Sequence, residues 1–123
     1  MAVWQYDLMI KGKRSFVKPD FEKVQRLVQV LPELPPWTDH MRWWGSEEGD
    51  RVDVFFDESG EFELSARVDV RRMHKPFIKL LSELAEVLQA EIIDENESVV
   101  ERSAIGIETH IQLNGPSEYE FES

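Results

Sequence analysis

The chain has 123 residues, no cysteine and a net charge of −11. Its length is that of about one domain. Without cysteine it has no disulfide, thiolate metal site or cysteine nucleophile. The charge is uneven, because residues 1–45 carry seven basic and five acidic side chains whereas residues 46–123 carry seven basic and twenty acidic ones. Such a field repels nucleic acid and anionic membranes and speeds encounter with a basic partner. The plainer interpretation is that the acidic surface keeps the protein soluble.

The sequence favours a single domain in the cytoplasm. Residues 1–14 have no basic region ahead of an apolar run, and the apolar segments are short and broken by charge. Neither a secretory signal nor a membrane-spanning helix is therefore expected. The lack of cysteine fits a reducing compartment. Residues 114–123 are expected to form a loosely held acidic tail.

The first two predicted elements are a strand and a helix. Apolar side chains alternate with polar ones from Trp4 to Ile10, and a period of two predicts a strand. Pro19 opens the helix, and Pro32 ends it because proline cannot continue the hydrogen-bond ladder. The inward face of this helix consists of Phe21, Val24, Leu27, Val28 and Leu31.

The segment from residue 32 to residue 50 is irregular and contains three of the four tryptophans. Long irregular connections are uncommon in compact domains and are often functional. Alternatively, Met41 to Trp44 form a strand that extends the sheet. Trp43 and Trp44 would then point to opposite faces, so the main core would bury only one of them. The other would be exposed, cover a second small cluster or contact a partner.

A β-hairpin is predicted between residues 52 and 70, where every second residue is apolar on both sides of a turn. If Gly60 is left-handed, as in a G1 bulge after a type I turn, Asp57 lies opposite Glu61. This register also pairs the apolar residues with one another, and a shift by one residue would place them opposite carboxylates. The predicted pairs are Phe56 with Phe62, Val54 with Leu64 and Val52 with Ala66.

A second helix and a last strand are predicted after the hairpin. Pro76 opens the helix, which has no glycine or proline from Phe77 to Glu91. Glu91 to Asp94 form either a short strand or the helix end, and Val99 to Ser103 are ambiguous. Alternating apolar residues from Ile105 to Leu113 predict the last strand.

These elements together predict an α+β fold, with a β-α-β-β-α-β order typical of the ferredoxin-like plan. In this two-layer sandwich both helices cover one face of an antiparallel sheet and leave the other face open. The open face is predicted to carry mainly charged residues, together with one exposed aromatic, Phe55. Its expected members are Asp7, Met9, Asp53, Phe55, Glu63, Arg67, Asp69, Arg71, Glu108 and His110.

No catalytic or metal-binding motif is recognisable. Glu108 and His110 could supply two metal ligands from one strand face, but a site needs at least a third. No serine lies in a G-x-S-x-G turn, and the six glycines are scattered rather than grouped to bind phosphate. We therefore expect no enzyme activity, no cofactor and no metal. The charged open-face residues are expected to form cross-strand ion pairs.

The stretch from Arg51 to Asn96 resembles a recurring type of small bacterial protein. The features that carry the resemblance are a tryptophan and a Gly-Asp pair ahead of the hairpin (Trp44 and Gly49–Asp50), an R-V-D-V-R strand end and a helix that ends in an acidic turn. Some small acidic α+β proteins of this sort are similar to immunity proteins, which neutralise a toxin by binding it. The resemblance implies binding without catalysis, and it transfers no catalytic residue.

Three functional hypotheses follow. The first is an acidic, immunity-like module that binds a basic protein, because tryptophan and arginine are enriched at binding hot spots. Its candidate contact residues are Trp37, Arg42, Trp43, Trp44, Phe55, Asp94, Glu95 and Glu97. The second is a small-molecule-binding or catalytic domain with a cleft on the open face, whose polar candidates are Asp53, Glu63, Arg67, Asp69, Arg71 and His110. The third is a homodimer formed through Phe55 or an edge strand.

Overall fold

The computed structural model describes residues 4–115, and the predicted acidic tail lies almost wholly outside them. The described residues form an α+β fold with seven strands and three helices. The elements are, in chain order, β1 (Gln5–Lys11), α1 (Lys18–Val28), β2 (Glu33–Leu34), β3 (Met41–Gly45), β4 (Arg51–Phe56), β5 (Phe62–Asp69), α2 (Lys75–Val87), β6 (Glu91–Asp94), β7 (Val99–Val100) and α3 (Ala104–Asn114).

All seven strands belong to one antiparallel sheet with the order β2-β3-β4-β5-β1-β6-β7. The α+β class and the antiparallel sheet are therefore confirmed. The sheet nevertheless has three more strands than the predicted plan, and the structure has a third helix. The first strand of the chain lies inside the sheet, between β5 and β6.

The predicted strand from Ile105 to Leu113 is wrong, because these residues form helix α3. The Ser103 hydroxyl accepts a hydrogen bond from the Gly106 N–H (3.0 Å) and caps the helix. Ile107 and Ile111 are four residues apart and buried, whereas Ile105 and Leu113 are 80% and 78% exposed. The strand that follows α2 is instead β6, one of the two alternatives for Glu91 to Asp94.

The predicted hairpin and its register are confirmed. β4 and β5 pair Phe56 with Phe62, Val54 with Leu64 and Val52 with Ala66. Gly60 has a φ of +89°, the left-handed conformation that the bulge requires. The Asp57 N–H donates to the Glu61 carbonyl oxygen at 2.8 Å, which closes the turn.

The main core lies between one face of the sheet and the helices. Every sheet residue of this core points to the same side, and α1 packs on α2, which packs on α3. Alternation along each strand explains why one face is apolar. The sheet residues of the core are Leu8, Ile10, Trp44, Val52, Val54, Phe62, Leu64, Ala66, Val68, Ile92 and Val100.

We call the opposite side of the sheet the open face. Cross-strand pairing places one row of side chains on it, from Trp43 through Asp53, Ser65 and Met9 to Ile93. Arg51, Phe55, Arg67 and Asp7 alternate with this row and share the face. Within the described part of the chain, no helix has both the length and the apolar character needed to cross a membrane.

Candidate functional site on the open sheet face

The two adjacent tryptophans of β3 belong to different clusters. Trp44 is buried in the main core, whereas Trp43 is buried on the open face. The Trp43 ring packs against Trp37 at 4.8 Å between ring centroids, and its Nε1 donates to the Pro35 carbonyl oxygen at 2.7 Å. These findings confirm the β3 alternative and the prediction that only one of the two joins the main core. The other covers a second, smaller cluster.

The guanidinium of Arg51 completes this second cluster. Its central carbon lies 5.1 Å from the Trp43 ring centroid and 5.5 Å from the Trp37 ring centroid. Cation–π contact of this kind stabilises an arginine that has lost its water. We call Trp37, Trp43 and Arg51 the tryptophan cluster.

Arg42 lies on the other side of the sheet. Its guanidinium stacks on Phe21 and Trp44, at 5.2 Å from each ring centroid. Its Nε and Nη2 donate to the two carboxylate oxygens of Glu33 at 2.8 and 2.9 Å, and this pairing lowers the pKa of Glu33. The predicted contact set is therefore divided: Trp37 and Trp43 lie on the open face, and Arg42 and Trp44 on the helix side.

Asp53 is a buried carboxylate in the middle of the open face. Only 7% of the residue is exposed, and its Oδ2 lies 3.2 Å from Nε of the equally buried Arg51. Its Oδ1 is buried and accepts no hydrogen bond within the described residues. Burial raises the pKa of Asp53, although the charge of Arg51 opposes the change.

A second ion pair lies beside Asp53. Arg67 donates from Nε and Nη2 to Oδ1 and Oδ2 of Asp7 at 2.6 and 3.2 Å, so both oxygens of that carboxylate are used. The carboxyl of Glu95 approaches from the β6–β7 turn. Partial burial and a hydrogen bond to Asp7 raise the pKa of Glu95. Three carboxyl groups thus share this part of the face with two guanidinium groups.

These groups surround a depression of about 410 Å³, which we call the open-face depression. Its apolar walls include Met9, Phe55 and Ile93. The charged side chains that line it are Asp7, Lys11, Arg51, Asp53, Arg67, Glu95 and Glu97; Asp94 also borders it, but its carboxylate lies on the helix side, against His110. The structure therefore brings together Phe55, Glu95 and Glu97 and places them beside the tryptophan cluster through Arg51, whereas the carboxylate of the third predicted acid, Asp94, lies on the helix side.

Glu63 and Asp69 share the open face with Asp53 but do not line the depression. Glu63 is the cross-strand neighbour of Phe55. Asp69 lies at the end of β5, where its carboxylate accepts hydrogen bonds from Nε and Nη2 of Arg71 at 2.9 and 2.8 Å. Burial works against the ionised form, but these bonds lower the pKa of Asp69 overall. The guanidinium of Arg71 also covers the Trp4 ring.

The predicted position of His110 on the open face is wrong. His110 lies on α3, where its Nε2 is 3.0 Å from Asp94 Oδ2 and 3.1 Å from the Tyr6 hydroxyl oxygen. Asp94 also accepts the N–H groups of Ser98 and Asn96, which lower its pKa. The error follows directly from the mistaken strand, and the depression that Asp53 and Arg67 line does not include His110.

The arrangement is suited to binding a positively charged group. Within residues 4–115 no group of three histidine, aspartate or glutamate side chains is placed to hold a metal ion. The depression contains carboxylates, one of which has an unused acceptor, and apolar walls. Sequence reasoning missed Arg51, although the predicted alternation of β4 places it on the same face as Asp53.

No family model, curated protein or solved structure matches the chain.

Proposed function

We propose that the protein is a non-catalytic module that binds a basic protein partner through the open face. The observation that carries this proposal is the group of exposed apolar side chains around an acidic depression. Trp37, Phe55 and Met9 are 59%, 41% and 39% exposed, and all three lie on this side of the sheet. Exposed apolar side chains that lie together on one face mark interaction sites more often than single exposed ones do.

The chemistry of the surface supports a protein partner. Aromatic residues and arginine are enriched at binding hot spots. The tryptophan cluster fits this description, because Arg51 and Trp43 are buried and Trp37 covers them from the solvent side. Trp37 and Phe55 would then provide apolar contact area at the edges of the depression.

The charge of the surface supports a basic partner. Four acidic and three basic side chains line the depression, which leaves a net charge of −1. Residues 46–123 add a wider negative field. The same field disfavours a second copy of this chain on the open face, because two acidic surfaces would repel each other.

The proposal includes a ferredoxin-like central unit. The four neighbouring strands β4, β5, β1 and β6 and the two helices α1 and α2 follow a β-α-β-β-α-β order along the chain. Strand β1 lies between β5 and β6, which are joined by α2, as expected of a split βαβ unit. β2, β3, β7 and α3 are then additions, and β3 supplies Trp43 to the open face.

An immunity-like role is the form of this function that the sequence resemblance suggests. In that role the acidic open face would cover a basic surface of a toxin. A second candidate is a small cationic ligand, and the volume of the depression favours it, since small-molecule sites occupy about 300–1,000 Å³.

Affinity capture with matched variants tests the proposal. Tagged wild type, Phe55→Ser and Trp37→Ser are compared in an extract of the native cell, with Ile105→Ser as the control. Ile105 is exposed and apolar but lies on α3, away from the open face. Wild type and the control should recover the same basic protein, and both open-face variants should lose about thirtyfold or more in affinity, because truncating a hot spot costs about 2 kcal/mol or more.

Binding of the purified partner is then measured directly with the same four proteins. Circular dichroism confirms that each variant is folded. A partner that binds Phe55→Ser and Trp37→Ser as tightly as wild type would contradict the proposed surface. So would a partner that is lost only with Ile105→Ser.

A further inference from the structure

We propose that Asp50 positions Arg51 and, through it, the exposed ring of Trp37 on the open face. This role rests on the proposed function, in which Trp37 contacts the partner, and it adds a positioning residue that lies outside the contact surface. It depends on a series of hydrogen bonds that runs from the end of β5 through the β3–β4 loop, residues 46–50, to the tryptophan cluster.

The β3–β4 loop is closed by its own backbone. The Ser46 N–H donates to the Asp50 carbonyl oxygen at 2.9 Å, and the Gly49 N–H donates to the Ser46 carbonyl oxygen at 3.2 Å. Gly45, just before the loop, has a φ of +118°, and a Cβ at this position would clash with the Asp50 carbonyl oxygen. Because the loop is closed on itself, its contacts with other elements decide where its tip lies.

Asp50 ties this loop to the end of β5. Its Oδ1 accepts a hydrogen bond from the Asp69 N–H at 2.7 Å, and Arg71 in turn fixes both carboxylate oxygens of Asp69. The contact joins two features of the sequence, the Gly-Asp pair ahead of the hairpin and the R-V-D-V-R strand end. Burial raises the pKa of Asp50, although the hydrogen bond from Asp69 opposes the change. The position therefore needs an oxygen acceptor more than it needs a negative charge.

The loop in turn holds the guanidinium of Arg51. Nη1 of Arg51 donates to the Glu47 carbonyl oxygen at 3.0 Å, while its Nε donates to Asp53. Trp37 lies outside the strands, and its ring rests on Trp43 and on this guanidinium. A shift of the Glu47 carbonyl group therefore removes one support of Arg51 and moves the exposed ring above it.

A second set of contacts holds the loop from the side of β1. Nε1 of Trp4 and Nε2 of Gln5 donate to the Glu48 carbonyl oxygen at 3.1 and 3.3 Å. Both donors belong to side chains in an exposed setting, whereas the Asp69 N–H belongs to the backbone of β5. Asp50 therefore provides the anchor that is fixed to the sheet itself.

Side-chain nuclear magnetic resonance of matched variants tests this role. Asp50→Ala removes the acceptor, Asp50→Asn keeps a carbonyl oxygen in its place, and Asp20→Ala is the control. Asp20 also accepts a backbone N–H, at 2.8 Å, but it lies at the start of α1 on the helix side. Asp50→Ala should shift the guanidinium signals of Arg51 and the indole signal of Trp37. Asp50→Asn should restore both, and Asp20→Ala should leave both unchanged.

Binding of the captured partner is measured with the same variants. Asp50→Ala should weaken binding about fivefold, the size of effect that one hydrogen bond usually has. Asp50→Asn should bind as tightly as wild type. Asp20→Ala also loses an acceptor of a backbone N–H, so it lowers stability without touching the loop, and its affinity should equal that of wild type.

Hydrogen exchange in wild type provides a measurement that does not require Asp50→Ala to fold. The Asp69 amide is bonded to Asp50, so it should exchange with deuterium much more slowly than the amide of the exposed Glu58 in the β4–β5 turn. Exchange at similar rates would overturn the anchor.

The outcomes separate this role from the proposed function. Unchanged Arg51 and Trp37 signals in Asp50→Ala, equal shifts in Asp20→Ala, or no restoration by Asp50→Asn would overturn the positioning role. So would full affinity of Asp50→Ala for a partner that requires Trp37, and in that case the contact surface would stand. If no partner depended on Trp37 or Phe55, the proposed function would fail, and the signals of Arg51 would still decide whether Asp50 places it.

Discussion

Asp53 and Arg51 form a buried ion pair, and such a pair is sensitive to the loss of one member. Removing one partner of a buried pair leaves an uncompensated charge and costs about 3–5 kcal/mol. Arg51→Ala should therefore lower the free energy of unfolding by about 3 kcal/mol. Arg67→Ala, which breaks the more exposed pair with Asp7, should cost about 1 kcal/mol or less.

Urea denaturation at neutral pH measures both changes. The double variant Arg51→Met with Asp53→Leu should recover most of the loss, because it removes both buried charges. A large loss in Arg67→Ala with little in Arg51→Ala would contradict the assignment of the buried pair.

The raised pKa of Asp53 predicts a dependence of stability on pH. Burial favours the protonated carboxyl in the folded protein, so the stability that this group contributes is present at low pH. It is lost as the pH rises through the folded pKa, since the unfolded chain gives up the proton at a lower pH. The stability of Asp53→Asn relative to wild type should therefore increase between about pH 4 and about pH 7.

Thermal unfolding of the two proteins across this range provides the measurement. Ser65→Ala is a suitable control because Ser65 is the cross-strand neighbour of Asp53 and its hydroxyl does not titrate. A relative stability of Asp53→Asn that falls with rising pH would contradict the direction of the pKa change.

At the level of elements, the predicted and the observed secondary structure differ most at α3. Ile105, Ile107, Ile111 and Leu113 fit a strand of period two, but Ile107 and Ile111 also have the spacing of one helix face. Ile105 and Leu113 are apolar but exposed, so apolar residues are not confined to one face of the helix. The amphipathic pattern that would identify a helix is therefore absent. The sequence signal for a helix is Ser103, whose hydroxyl caps the first turn of α3.

The helical assignment has a direct mutational test. Ile107→Ala and Ile111→Ala should each lower the free energy of unfolding by about 2–5 kcal/mol, the usual cost of emptying a buried aliphatic site. Ile105→Ala and Leu113→Ala should change it by about 0.5 kcal/mol or less, because these side chains are exposed. Chemical denaturation of the four variants distinguishes the two assignments, since a strand would give similar losses at all four positions.

The hairpin shows what sequence can predict at this scale. Its turn and its alternation agree on one register, so the pairing of β4 with β5 follows from local residues alone. β2, β3 and β7 are short and lie in segments without a clear period, and the sequence left them open. These strands pair with their neighbours along the chain, β2 with β3, β3 with β4 and β7 with β6, so backbone pairing rather than an apolar period defines them.

At the level of the whole molecule, the uneven charge predicts salt-sensitive association. The Debye length falls from about 10 Å at 0.1 M salt to about 3 Å at 1 M, so added salt screens long-range attraction. The association rate constant with the captured basic partner should fall as salt rises, while the dissociation rate constant changes less. Stopped-flow or surface-plasmon measurements over this range test the expectation.

Charge reversal provides the matched control for that experiment. Glu95→Lys, at the depression, should slow association more than Glu86→Lys, on the helix side, although both change the net charge equally. Equal effects would indicate a contribution from total charge alone. An association rate that does not depend on salt would argue against electrostatic steering.

The central position of β1 has a consequence for how the chain folds. This strand is synthesised before the other six described strands, yet its neighbours are β5, whose Asp69 pairs with Gln5, and β6, whose Asp94 pairs with Leu8. Both contacts close long loops, and folding slows as the sequence separation of contacts grows. The β4–β5 hairpin can form locally, whereas β1 has to wait for most of the chain. During translation, β1 therefore has unpaired hydrogen-bonding groups on both edges until β5 has left the ribosome, and on one edge until residues beyond 90 have left it.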